Sequence, residues 1–310
     1  MQKPIYAGKK ANQKPKRWLK IFIVILCIQF LVLIYFYIFK DSSESIVSEK
    51  QIIQEEKIIS SNIKNVYTID DEKLDEIHSA INNNKANEAY NLIQPLLKYN
   101  SEKVYDLLGK INMMRLKSYD LILNKRWYVV KSGDALWKIA RSHNTTINLI
   151  KILNNKETDN IRVGERLLVF QGINKQGQNS FSIKVSKDQN TLDLMINNEL
   201  FKRYIVGTGK FGKTPEVKFF VYDKIIEPPW TRPNDNKIIE YGDPENVLGT
   251  RWMALHSPKN PDLTGYGIHG TWERDSIGYQ SSDGCIRMYN EDVEELFNLI
   301  PRKTLVHVIN

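Results

Sequence analysis

The chain has 310 residues, 42% of them hydrophobic and 26% charged, which is ordinary for globular protein and leaves room for two or three domains. Its formal charge of +8 does not mark a nucleic-acid binder: seven basic residues and no acid fall in the first twenty positions, leaving +1 on the other 290. Two cysteines and five scattered histidines exclude a disulfide-stapled scaffold and offer no metal-ligand cluster, so neither a metal nor a cofactor is expected.

Residues 1–20 form the basic tail. Ile21 to Phe39 follow, nineteen residues without a charge and with only Gln29 clearly polar. At about 1.5 Å per residue, such a helix covers nearly the thickness of a hydrocarbon core. A cleaved signal peptide has an apolar region of about 7–15 residues ending in small side chains. This run is longer and ends Tyr35-Phe-Tyr-Ile-Phe39, so it reads as an uncleaved transmembrane anchor, with the membrane as its partner. The basic flank places the N-terminus in the cytoplasm and everything from about residue 41 outside.

Residues 41–126 read as a stalk and helical spacer. From Asp71 the pattern is helical: Leu74, Ile77 and Ile81 share one face, and Asn82-Asn-Asn84 breaks the run. Ala89, Ile93 and Leu96 mark a second helix, and Val104, Leu107, Leu108 and Ile111 a third. Residues 127–170 then give strand, helix, helix, strand. Asp134 is placed to cap the first helix and Thr146 to start the second.

That unit resembles the LysM family, through Tyr128-Val-Val-Lys-Ser-Gly-Asp134-Ala-Leu-Trp-Lys-Ile-Ala140, Leu153-Asn154 and Ile161-Arg-Val-Gly-Glu-Arg-Leu167. The resemblance implies a βααβ module that binds N-acetylglucosamine-containing strands, chiefly peptidoglycan. It further implies a shallow groove bordered by Gly133, Asp134, Ala135 and Leu136 on one side and Ile152, Leu153 and Asn154 on the other. Helix capping by Asp134 and core packing by Leu136 explain those two residues without a ligand.

Residues 171–180 are polar and read as a linker. Beyond them, 181–310 turn to a period of two, with strands at 181–185, 191–196, 200–206, 217–222 and 305–309 and one short helix after Asn290. Asn197-Asn198 sits where a hairpin turn belongs. This is a mostly-β domain, a sandwich or barrel-like sheet pair.

The chemistry concentrates in this last domain. Cys27 lies in the apolar run, so Cys285 has no disulfide partner outside the membrane. His269 stands sixteen positions before it, and an imidazole that takes the thiol proton makes a nucleophile. His78, His143, His256 and His307 have weaker claims; His256 is a candidate cleft-lining residue. Trp230, after Pro228-Pro229, is a second cleft candidate, with packing as its bland alternative.

Gly207-Thr-Gly-Lys, Thr214-Pro215, Ile268-His-Gly-Thr271 and Ser282-Asp-Gly-Cys-Ile-Arg-Met288 occur in this order. Through these motifs residues 181–310 resemble the L,D-transpeptidase catalytic domain of bacterial cell-wall enzymes. The resemblance implies Cys285 as the acylated nucleophile and His269 as its base. Gly270 would orient the imidazole by its carbonyl, Gly284 would help stabilise the oxyanion, and Ser282 and Arg287 would shape the pocket. Stem peptides and glycan strands of peptidoglycan are then the expected partners, with no nucleic acid and no protein partner indicated. The implied location is the bacterial inner membrane, single-pass, with the catalytic domain outside the cytoplasm. Asp283 stands where the family often has His, and Glu216-Val217 follows Thr-Pro in place of a small residue and Gly. Transfer to an amine, transfer to water (an L,D-carboxypeptidase) and a weakly catalytic wall-binding scaffold all remain open on sequence.

Overall fold

A computed structural model describes residues 29–31, 33–34, 71–120, 123–173, 177 and 179–310. The basic tail, most of the apolar run at 21–39 and the stalk at 41–70 lie outside the described residues. Among the described residues no helix is long and apolar enough to cross a membrane. The chain divides into two compact units, 1–68 and 69–310, and the second holds all the elements below.

Three helices open that unit: α1 (Asp71–Asn82), α2 (Ala86–Ile93) and α3 (Glu102–Lys117). Asn84 takes a left-handed φ of 57° at the first break, a conformation asparagine tolerates. The second helix tightens into a 3-10 turn over Gln94–Tyr99, where Pro95 removes a backbone donor. The anticipated faces meet in one cluster that includes Leu74, Ile77, Ile81, Ala89, Ile93, Val104, Leu108 and Ile111.

The helices differ from the expected spacer because α3 docks on a sheet edge. The Asn112 amide, 2% exposed, donates to the carbonyl of Phe201 at 2.9 Å. Arg203 lies over the Tyr105 ring at 4.0 Å, and Leu200 packs against the helical core. Lys125 ties the end of α3 to the next module. Its ammonium, on a residue 4% exposed, donates to the carbonyls of Arg115, Leu116 and Ser118 at 2.9, 2.8 and 2.5 Å. Burial lowers its pKa to about 8. Lys125→Met would strand three carbonyls at a helix end, and the expected loss is about 2–4 kcal/mol. A denaturant midpoint equal to that of the wild type would refute this capping role.

The module at 125–170 is β1 (Lys125–Val129), α4 (Leu136–Ser142), α5 (Ile147–Leu153) and β2 (Arg166–Phe170), with the strands antiparallel. Thr146 caps α5, its Oγ1 accepting from the Leu149 amide at 2.8 Å. Asp134 does not cap α4, whose N-cap is Ala135. Its carboxylate instead accepts from the Lys131 amide at 2.7 Å and the Tyr128 hydroxyl at 2.8 Å, closing the turn before the helix. The segment 171–180 is not a free linker. Gly172 donates to the His143 carbonyl at 2.9 Å and Ser180 to the Gly172 carbonyl at 2.8 Å.

The last domain is built on an eight-stranded sheet of order β13-β11-β10-β7-β14-β3-β4-β5. Its strands are β3 (Phe181–Ser186), β4 (Thr191–Ile196), β5 (Glu199–Ile205), β7 (Lys218–Ile226), β10 (Arg251–His256), β11 (Gly267–Thr271), β13 (Ile286–Tyr289) and β14 (Leu305–Ile309). Short pairs complete it: β6 (Thr208–Gly209) with β12 (Gln280–Ser282), and β8 (Trp230–Thr231) with β9 (Ile238–Ile239). Asn197 and Asn198 both have positive φ, 53° and 68°, as a two-residue hairpin requires. Just past β5, Gly207 exchanges two backbone hydrogen bonds of 2.8 Å with Arg287 of β13. This rung joins the two ends of the sheet and makes it nearly a barrel. Helix α6 (Asn290–Leu299) buries Val293, Leu296, Phe297 and Leu299 against it. One apolar core runs from Leu116 of α3 through Leu149, Leu153 and Phe170 into Ile268, Ile286 and Met288.

Candidate active site

The strands β11 and β13 are parallel neighbours, with Ile268 opposite Ile286 and His269 opposite Arg287. Ile268 and Ile286 enter the core. Side chains alternate across a strand, so Gly267 and His269 on β11 face the other way, as do Cys285 and Arg287 at β13. His269 and Cys285 therefore flank one rung on one face, His269 just beyond it and Cys285 just before it.

The imidazole is held on both sides. Its Nδ1 lies 2.6 Å from the Gly270 carbonyl, and that carbonyl also accepts from the Gly249 amide at 3.0 Å. An oxygen that only accepts fixes the tautomer: Nδ1 carries the proton and Nε2 keeps its lone pair. Trp252, opposite His269 on β10, lies against the ring with centroids 5.6 Å apart. Its indole sits over Gly267, where a Cβ would come within 2.4 Å of Trp252 Cη2. Any side chain at 267 would push the indole off the histidine.

The cysteine sits on a built turn. Ser282 Oγ donates to the Cys285 carbonyl at 2.6 Å and accepts from the Gly284 amide at 3.1 Å. Thr214 Oγ1 donates to the Gly284 carbonyl at 2.9 Å while accepting from the Gly209 amide at 2.7 Å. Gly284 has φ +134°, and a Cβ there would meet the Tyr266 ring at 2.9 Å. Cys285 is half-buried, with its sulfur 3.5 Å from the Gly265 carbonyl, an arrangement that suits a protonated thiol donating.

Both groups are neutral near pH 7. Burial pushes the Cys285 thiol up to about 11, against the Gly267 amide and the Arg287 guanidinium, which pull it down. Burial also holds His269 down to about 4; the Gly270 carbonyl opposes this and the Arg287 charge adds to it. The negative charge of Asp283 is the smallest contributor at the thiol. The Asp283 carboxylate is exposed and shared by Lys213 at 2.8 Å and Lys210 at 3.3 Å, which neutralise it. The other departure, Glu216, pairs with the buried Lys187 at 2.6 Å.

Arg287 is already engaged, its Nη1 donating to Glu273 at 2.7 Å. Trp230 stands in the β8–β9 pair opposite Ile239, with no ring contact or hydrogen bond to Cys285 or His269 among the described residues. His256 is exposed and meets Tyr222 edge-on at 6.3 Å. In the upstream module, Leu136 and Leu153 are 2% and 1% exposed. The Asn154 amide is consumed by the carbonyls of Ile150 and Leu168, at 2.7 and 2.8 Å. Gly133 supplies a turn with φ +82°, Ala135 is the extended N-cap of α4, and Ile152 is half-buried. Among the described residues no group of three or more His, Cys, Asp or Glu is placed to hold a metal ion.

Sequence reasoning missed Trp252 and Glu273 as parts of this site, and it placed Thr214 in a motif without giving it a role. The Arg251–His256 segment carries an apolar run that would have marked it as a strand, but nothing local says that it pairs with the histidine strand.

Residues 180–308 match the family described as the L,D-transpeptidase catalytic domain, and residues 128–170 match the LysM domain. The chain is 42% identical over 123 residues to YqjB of Bacillus subtilis, a protein named among L,D-transpeptidases, covering 39% of this chain and 67% of that one. With YkuD of the same organism, also so named, it shares 31% identity over 182 residues, 58% of this chain and 97% of the relative. Among solved structures, the NMR structure of the catalytic domain from an E. faecium L,D-transpeptidase aligns at 24% identity with a TM-score of 0.34, covering 42% of this chain and 96% of that one.

Proposed function

The chain belongs to the L,D-transpeptidase family, with a LysM domain ahead of its catalytic domain, and on that footing we propose a membrane-anchored enzyme that acts on peptidoglycan stem peptides through a Cys285 thioester. Residues 21–39 are the anchor, 127–170 hold the enzyme on the wall, and 181–310 perform the reaction outside the cytoplasm. One observation carries the chemistry: the 2.6 Å bond from His269 Nδ1 to the Gly270 carbonyl leaves Nε2 as a base on the face that Cys285 shares.

The reaction proceeds from an uncharged pair. As Sγ attacks the carbonyl between the third stem residue and a terminal D-alanine, Nε2 takes the thiol proton, so a free thiolate never has to accumulate. The carbon–nitrogen bond then breaks and the imidazolium returns that proton to the departing amine. An amine from a second stem attacks the thioester, gives its proton to Nε2, and the sulfur leaves and is reprotonated. The Gly284 amide is taken by Ser282, so the Cys285 amide is assigned to the oxyanion, and Gly284 and Ser282 act by shaping the turn. Arg287, held by Glu273, positions the strand after Cys285, and its charge lowers both pKa values, favouring the neutral imidazole and easing loss of the thiol proton. Trp252 excludes water beside the ring.

Incubation with tetrapeptide muropeptides, read by mass spectrometry, tests this. A crosslinked dimer with release of D-alanine is the expected product. Tripeptide without dimer would make the enzyme a hydrolase, and no product would leave only a wall-binding protein. Deleting residues 1–40 is expected to move the protein from the membrane to the soluble fraction; persistent membrane association would refute the anchor.

A further inference from the structure

The loop that joins β6 to β7 stands against the turn that carries Cys285. The Gly209 amide donates to Thr214 Oγ1 at 2.7 Å, and that hydroxyl donates to the Gly284 carbonyl at 2.9 Å. A Cβ at Gly209 would meet the Gly284 Cα at 3.0 Å, and one at Gly284 would meet the Lys213 carbonyl at 3.2 Å, so the two backbones touch. Between these anchors Lys210, Phe211, Gly212 and Lys213 make a short turn, closed by the Lys213 amide on the Lys210 carbonyl at 3.2 Å.

Two features of this turn serve no packing role. Phe211 has φ 55° and ψ 33°, a left-handed conformation unfavourable for a bulky side chain, yet its ring is 93% exposed. No core contact offsets the strain, and a backbone outlier beside reactive groups points to use. Lys210 and Lys213, in turn, both place an ammonium on Asp283 Oδ1, at 3.3 and 2.8 Å. One carboxylate opposes two ammonium groups, so the cluster keeps a net positive charge two positions from Cys285. Each ammonium has three donors, and the lysine side chains are 44% and 47% exposed, so donors remain for a ligand. The other cation whose charge reaches the sulfur, Arg287, is already on Glu273 at 2.7 Å.

A peptide attacked at the bond to its last residue presents that residue's carboxylate one carbon from the departing nitrogen. Two neighbouring ammonium groups can bridge such a carboxylate with charge-assisted hydrogen bonds. We infer that Lys210 and Lys213 read the free terminal carboxylate of the stem peptide, with Asp283 holding the two side chains together and the Phe211 ring against the apolar side of the same residue. The inference rests on the proposed function for the identity of the peptide, and it adds the residues that select its terminus.

The test uses the full chain in detergent carrying Cys285→Ala, so that bound peptide stays intact. The probes are a synthetic tetrapeptide stem whose third residue bears a side-chain carboxylate, its terminal carboxamide, and its side-chain carboxamide. Calorimetry is expected to show the free acid binding about fivefold more tightly than the terminal amide, a margin that narrows as salt rises. Lys210→Gln with Lys213→Gln is expected to erase that margin, and Lys210→Glu with Lys213→Glu to reverse it. Phe211→Ala is expected to weaken acid and amide alike, by about threefold, and to leave the margin in place. Lys73→Gln with Lys184→Gln removes the same charge from exposed positions on α1 and β3 and is expected to keep the margin too. Thermal unfolding of each variant controls for folding. Equal binding of the free acid and its terminal amide by the parent, or a full margin in Lys210→Gln with Lys213→Gln, would overturn the inference. So would discrimination against the side-chain amide alone. Turnover of the free acid by the wild-type chain is scored separately. A lysine-dependent margin without turnover sinks the enzymatic reading alone, whereas turnover without the margin sinks the carboxylate reader alone.

Discussion

Cys285→Ala is expected to abolish turnover of tetrapeptide muropeptides, by about 10⁴-fold or more, because no other group on that face can carry the acyl chain. The protein itself should tolerate the change. Cys285 is half-buried, and the hydrogen bond its thiol donates is a long one, 3.5 Å to the Gly265 carbonyl. The turn beneath it is held by Ser282 and Thr214 through backbone groups that alanine retains. Thermal unfolding and co-sedimentation with sacculi should therefore match the wild type. Cys285→Ser provides a second variant of nearly equal shape. Its hydroxyl, far less acidic than the thiol, should leave it close to inactive. Retained turnover in either variant would remove Cys285 from the mechanism.

The second large effect concerns His269 and pH. A histidine that titrates at about 4 and a thiol that titrates at about 11 leave both groups uncharged across the neutral range. The imidazole is a competent base only above its own pKa, so kcat/KM should climb through about pH 4 and then hold a plateau through neutrality. His269→Asn should cost about 10²–10⁴-fold near pH 7. That loss should shrink about tenfold per pH unit as hydroxide supplies the thiolate, up to the thiol value of about 11. Alkylation of wild-type Cys285, followed by peptide mass spectrometry, should show the same rise. Fast alkylation that is flat from pH 5 to neutrality would mean a resting ion pair and would refute the neutral-pair mechanism.

Much of this architecture could be read from the residues. The helices at 71–117 follow from Leu74, Ile77, Ala89 and Val104 recurring at helical spacing, and the Asn197-Asn198 hairpin from asparagine's tolerance of positive φ. Cys285 and His269 stood out as the candidate pair because only one thiol and few imidazoles lie in the last domain. What escaped is information that no local pattern holds. Asp134 has the composition of a helix cap, yet Tyr128 and the Lys131 amide compete for its carboxylate and win. The histidine strand β11 is five residues long and carries two glycines, and β13, which follows Cys285, has only four residues, so their period is lost. Trp252 meets His269 only through strand pairing, and α3 meets β5 across nearly a hundred residues of chain. The helices read as a spacer therefore also pack on the catalytic domain's sheet, through α3 on β5.

The rung between Gly207 and Arg287 has a further effect. An unpaired strand edge is a template for foreign backbone, and β13, the strand that follows Cys285, would otherwise be such an edge. Gly207 covers that margin, while α3 lies along the opposite one at β5. Joined at one margin and packed by a helix at the other, the sheet offers less free edge on which a foreign peptide could pair as an extra strand.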